Sequence, residues 1–123
     1  MNTVPNYRNK ALLELCRDIP CQSCGAMDGT VCAAHSNQLR DGKGTGIKAS
    51  DAMVAAMCAR CHFELDNGMA LNKQDRKDMW ELAYRLTMKH FIENDMLIVR
   101  RQLCHATKTV IKAVTVIARK IQV

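Results

Sequence analysis

Aromatic side chains are scarce in this 123-residue chain, which has only Trp80, Tyr7, Tyr84, Phe63 and Phe91. So small an apolar payload makes a thin core for a domain of this size and points to some other staple. Proline and glycine, at 2 and 6 residues, are too few for a collagen-like or low-complexity chain. With 48% hydrophobic and 24% charged residues, intrinsic disorder is excluded as well. Long apolar runs are also missing: the best, Ala52 to Cys58, falls far short of the roughly 20 residues a membrane span requires. The opening Met1-Asn-Thr-Val-Pro-Asn-Tyr-Arg has no apolar stretch of the kind a secretory signal carries, so one small cytosolic domain is the expectation.

Acidic residues are absent from residues 100–123. Residues 1–99 balance twelve Lys/Arg against twelve Asp/Glu, so the whole net charge of +6 comes from Arg100, Arg101, Lys108, Lys112, Arg119 and Lys120. A basic, acid-free end is the footprint expected of a segment that approaches phosphate, although a solvated helix face gives the same count.

Cysteine is abundant, and its number, seven, is odd. That parity, without a secretory signal, argues for reduced thiols over a disulfide framework. Cys21-Gln-Ser-Cys24-Gly25 and Cys58-Ala-Arg-Cys61 are two CxxC pairs. Zinc takes four thiolates at tetrahedral corners; each CxxC turn supplies two, and a glycine after the second eases the turn. A redox CxxC would need only one pair and would leave the other unexplained. Closed four-cysteine sites hold folds and do no chemistry, so a structural zinc on Cys21, Cys24, Cys58 and Cys61 is expected. Cys16 competes with Cys21 as the fourth ligand, and the knuckle geometry favours Cys21. Cys32 and Cys104 read as small core residues.

Along the chain, Asn6 to Arg17 has helical character and is halted by Pro20. Gly29 to His35 and Ala52 to Met57 are strand candidates around a Gly-, Lys- and Asp-rich loop from Asn37 to Asp51. The loop's Gly42-Lys-Gly44-Thr-Gly46 lacks the phosphate-cradle pattern and suits a substrate-contacting loop, with Lys43 and Lys48 as its cations. Cys61 to Asn67 reads as a short helix stopped by a left-handed Asn67-Gly68 end, with His62 and Asp66 one turn apart on a shared face. Asn72 can cap a helix to about Asn94, with Met79, Leu82, Ala83, Leu86 and Phe91 on its core face and Trp80 beside it. In the last segment Lys108, Lys112 and Arg119 form a basic stripe opposite Val110, Val114, Ile117 and Ile121. That aliphatic stripe would pack on its own core, pair two copies into a homodimer, or lie on a membrane surface, in that order of preference.

Strand, loop, strand, knuckle, helix is the order of the ββα-metal nuclease motif. In that motif a histidine at a strand end takes a proton from water, and a metal on the facing helix stabilises the phosphate. His35 and His62 occupy those two places. The chain resembles HNH-type endonucleases with a four-cysteine zinc, and among them the YbcO-like nucleases of phages and prophages. The likeness lies in Cys24, Ala34-His35, Gly44-Thr-Gly46-Ile-Lys48, Asp51, and Cys58-Ala-Arg-Cys61-His62-Phe-Glu-Leu-Asp66. Through Cys21-Gln-Ser-Cys24-Gly25 it is also similar to NinG-like recombination nucleases. The resemblance covers about residues 10–99.

It implies His35 as general base, His62 as ligand of a catalytic metal, and Asp66 as second ligand or orienter. The chain departs from the pattern in having Ala34 where many relatives carry a metal ligand. Its counterpart of the middle asparagine is open between Asp51 and Asn37.

The expected architecture is therefore α+β: a zinc-stapled ββα core in a nuclease domain, residues 1–99, then a basic helical extension, residues 100–123. The expected activity is metal-dependent hydrolysis of nucleic-acid phosphodiesters, DNA first, in a phage or prophage setting within the host cytosol. Magnesium is the first choice of catalytic metal, with manganese, nickel or a second zinc compatible with the ligands. The alternative is a zinc-containing DNA-binding or recombination accessory protein that never cuts.

Overall fold

The computed structural model describes residues 6–100. Arg101, Lys108, Lys112, Arg119, Lys120 and Cys104, with the two stripes of the last segment, lie outside the described residues.

The fold is α+β: a two-stranded hairpin with helices around it, a cluster of four cysteines able to hold a metal, and a long helix at the end of the described residues. Helix α1 (Lys10–Leu15) starts where the Asn9 side chain accepts from Leu12 N at 3.1 Å, which satisfies one of the open amides of the first turn. A 3₁₀ turn, Cys16–Asp18, continues it until Ile19 becomes extended ahead of Pro20. Strands β1 (Cys32–His35) and β2 (Val54–Met57) pair antiparallel, with Cys32 opposite Met57 and His35 opposite Val54. Both strands are shorter than expected. Asp28 folds back on Thr30, accepting from its N and Oγ1, and so holds residues 28–30 in a turn. Met53 N donates to Ser50 O, which keeps Ala52 and Met53 in the turn before β2.

Helix α2 (Ala59–Asn67) begins two residues earlier than expected, because Cys58 sits at its N-cap and places Cys61 inside the first turn. Its end corrects another expectation. Gly68 has φ −63° and ψ 135°, so the helix leaves through an extended residue and not a left-handed one. Glycine is required there for closeness: a Cβ would lie 2.6 Å from Glu64 O.

Helix α3 (Lys73–Glu93) is capped by Asn72, whose Oδ1 accepts from Asp75 N at 2.8 Å while Asp75 Oδ2 accepts from Asn72 N at 3.4 Å. Its buried face keeps Ala83, Phe91 and Trp80 of the expected one but not the two leucines. Leu82 and Leu86 are exposed, and burial follows Trp80, Ala83, Thr87 and Phe91. Hydrogen bonding decides this choice. Trp80 Nε1 donates to Ala34 O on β1 at 3.0 Å. The Thr87 hydroxyl accepts from Ala56 N on β2 at 3.0 Å and donates to Ala83 O at 2.7 Å. A threonine with both bonds made can replace an aliphatic side chain in the core at little cost.

The chain divides into two compact units at His90/Phe91, inside α3. In the second unit Met96 N and Leu97 N both donate to Phe91 O, and Asp95 has φ +56°, closing a tight turn after the helix. The four clustered cysteines and all the cleft residues described below belong to the first unit. Its core combines small side chains, Ala34, Ala55, Ala56 and Cys16, with Ile19, Val54, Met57, Leu65 and Trp80, whereas Phe63 and Tyr7 are exposed. Among the described residues, Trp80 is the one aromatic side chain buried in this unit, so a metal on the four cysteines would add a staple to a core poor in aromatic area. Among the described residues, no helix is long and apolar enough to cross a membrane.

Candidate metal centre and active-site cleft

The first cysteine pair is held by main-chain bonds. Cys21 N donates to Ala26 O at 2.9 Å and Gly25 N to Cys21 O at 2.8 Å. Gly25 takes φ +80°, the left-handed conformation that ends the knuckle. Gln22 N reaches Ala56 O at 2.9 Å and so ties the turn to β2. The second pair straddles the start of α2, where free helix amides favour thiolates.

The four sulfurs lie within 4.8 Å of one another, and Cys24 Sγ is 3.6 Å from Cys58 Sγ. A zinc tetrathiolate with 2.3 Å bonds has sulfur–sulfur edges of roughly 3.8 Å, so the donor set and its spacing fit that ion. A bond from the Ala26 backbone, then one from the Cys61 thiol, brings the Cys24 thiol down to about 6. Burial pushes Cys61 up to about 12. A metal bound by these thiols would displace the protons they hold. Cys16 lies outside the cluster; it is fully buried, and its Sγ faces Leu12 O at 4.0 Å. Burial raises that thiol to about 12, as befits an inert core residue.

Beside the hairpin opens a cleft of about 420 Å³. His35 from the end of β1, His62 and Asp66 from α2, and Lys48 from the loop all line it. Lys43 does not, and Arg100 is exposed in the second unit. Six lining residues were not anticipated as site residues: Lys10, Leu13, Glu14 and Arg17 from the first helical segment, and Cys32 and Ala33 from β1. Cys32 is a wall residue and not a core residue, with Sγ 3.6 Å from His62 Nδ1.

Two hydrogen-bonded pairs organise the cleft. His35 Nε2 is 2.8 Å from Asp51 Oδ1. The Asp51 carboxylate also takes Asn9 N at 2.7 Å and Arg8 Nη1 at 3.3 Å. Burial works to raise this carboxyl, but the bonds from His35 and Asn9 and the nearby positive charges outweigh it and hold the group below the usual carboxylate range. Ionised Asp51 assigns the His35 proton to Nε2 and leaves Nδ1 as the basic atom.

In the second pair, His62 Nε2 is 3.1 Å from Asp66 Oδ2, and Asn37 Nδ2 donates to Asp66 Oδ1 at 3.0 Å. Asp51 and Asn37 therefore serve different partners. Asp51 holds the strand histidine, and Asn37 holds the helix carboxylate. The segment between β1 and β2 that carries them is itself pinned: Ser36 N bonds Met53 O, and Arg40 pairs with Glu81 on α3.

Protein-family models, curated proteins and solved structures were compared with the chain, and none matches.

Proposed function

We propose that the protein is a metal-dependent endonuclease of the HNH type, acting on nucleic acid, with DNA as the first candidate, and stapled by one structural zinc. The observation that carries this reading is the meeting of His35, held by Asp51, and His62–Asp66, held by Asn37, in one cleft lined by Lys10, Arg17 and Lys48.

The chemistry follows from those roles. Lys10, Arg17 and Lys48 outnumber Glu14 on the wall where a phosphodiester would enter and leave it net positive. His35 takes a proton from water at Nδ1, and Asp51 stabilises the imidazolium that results. His62 and Asp66 would hold a divalent cation. An imidazole nitrogen and a carboxylate oxygen 3.1 Å apart are donors of the kind such a cation takes. Such an ion supplies Lewis-acid stabilisation of the phosphate and the leaving oxygen. Asn37 keeps Asp66 in place for this.

Plasmid nicking across magnesium, manganese, nickel and zinc tests the reading. Wild type nicks with at least one metal, and His35→Ala loses roughly 10²- to 10⁴-fold in rate with its zinc content and DNA affinity intact. Equal cleavage by the two proteins, or DNA binding with no cleavage under any metal, would favour the accessory-protein alternative.

A further inference from the structure

A second cleft, of about 500 Å³, adjoins the first. The two share Asn37 and Asp66, so the hydrogen-bonded pair that organises the first cleft forms the ridge between them. The second cleft's lining divides by chemistry. Leu71, with the edges of the largely buried Leu65 and Trp80, contributes apolar surface, and Lys73, Arg76 and Lys77 contribute positive charge from the first turns of α3. These α3 positions recur at helical spacing, 73, 76, 77 and 80, so the helix turns one mixed face toward the cavity.

Arg76 is fixed at the wall of this cleft, its Nη2 donating to Gly68 O on the segment between α2 and α3.

We infer that this second cleft receives an unpaired nucleotide next to the phosphodiester in the first cleft, its base on Leu65, Leu71 and Trp80 and its phosphate on Lys73, Arg76 and Lys77. The inference rests on the nuclease reading of the first cleft. Bases in a continuous duplex are stacked inward and cannot reach an apolar pocket, whereas an unpaired base pays little to leave the stack. An apolar floor with cations at its rim fits a nucleotide better than it fits bare duplex backbone, which would need only the cations. The substrate class is therefore nucleic acid carrying a gap, branch, flap or single-stranded stretch.

The test is a binding experiment on the full-length, zinc-loaded protein without added second metal, so that no cleavage is required. Two duplexes of equal length are compared, one fully paired and one with a single unpaired 2-aminopurine nucleotide. The expected result is at least tenfold tighter binding of the unpaired probe, with altered 2-aminopurine emission and altered emission from Trp80, the chain's one tryptophan. Lys73→Ala/Lys77→Ala should lower the salt dependence of binding by about 0.7 in log–log slope for each cation removed. Leu71→Asp should abolish the preference for the unpaired probe. Zinc content and circular dichroism confirm that each variant is folded. Equal affinity for the two probes, or binding that leaves both emissions unchanged, overturns the inference. Because the readout is independent of cleavage, a protein that binds the unpaired probe but never cuts would sink the nuclease reading and leave this cleft's ligand standing.

Discussion

His35 Nε2 and Asp51 Oδ1, sixteen residues apart in the chain, lie 2.8 Å from each other at the point where β1 ends and the loop turns back toward β2. Asp51 is almost wholly buried and takes Asn9 N as well, so it is an anchor for three segments at once. Asp51→Asn keeps the size of the group but removes its charge, and with it the assignment of the His35 proton. Cleavage should fall at least about tenfold, by less than His35→Ala, with zinc content unchanged, as measured by steady-state nicking at fixed metal.

The same carboxylate makes a pH signature. Its folded-state value lies below its ordinary value of 3.8, so its contribution to stability is complete above that value and is lost as pH falls through the lower folded value. Acid titration of wild type and Asp51→Asn should give curves that converge at the acid end, with wild type more stable from near pH 4 upward. Parallel curves would mean that Asp51 is not ionised in the fold.

Zinc removal should unfold the first unit. Structural zinc sites contribute an apparent ~10–16 kcal/mol, which matches or exceeds the whole stability of about 5–15 kcal/mol of an ordinary domain. Metal analysis should find one zinc per chain, and Cys24→Ser or Cys58→Ser should lose both the ion and cooperative thermal unfolding. An intact fold with no zinc would discard the four-cysteine staple.

Thr87→Val should cost about 1–3 kcal/mol in urea unfolding, because Ala56 N is left without an acceptor while the side-chain volume hardly changes. Thr87→Ser, which keeps the hydroxyl, should recover most of the hydrogen-bond loss. Equal effects of the two would show that methyl packing, not the bond to β2, fixes α3 on the hairpin.

Deleting residues 107–123 removes Lys108, Lys112, Arg119 and Lys120, and should weaken duplex binding and flatten the salt slope by about 0.9 for each phosphate that these cations neutralise. Cleavage at low salt should persist, because the cleft residues all precede the deletion. A change from dimer to monomer by sedimentation with an unchanged slope would assign the segment to assembly instead.

The legible parts of the molecule are those with local signatures. Two CxxC pairs carry their own geometry, and the His62–Asp66 spacing is a single helical turn. The pairings that position the cleft groups are harder to read. Asn37 meets Asp66 across 29 residues, and no periodicity links them. Asn37 and Asp51 cannot be told apart in the sequence because only the folded loop decides which faces the strand and which faces the helix. The face of α3 misleads for a different reason. Hydrophobicity puts Leu82 and Leu86 inward, whereas the hydroxyl of Thr87 and the indole N–H of Trp80 have main-chain partners on the hairpin that no hydropathy pattern reveals. Lys10 and Arg17 give no signal because they belong to a segment whose sequence shows only helical character and which the fold makes a cleft wall.

The position of the clamping residues also orders events during synthesis. All four clustered cysteines have been made once residue 61 is joined, but Trp80 and Thr87, which bond the two strands to α3, come 19 and 26 residues later. A nascent chain can therefore capture its ion while the hairpin still lacks its covering helix, at elongation rates of about 5–20 residues per second. Starvation for zinc would act in that interval. The newly made hairpin would then meet the rest of the chain with β2, buried on both faces in the finished fold, still bare and its knuckles unclosed.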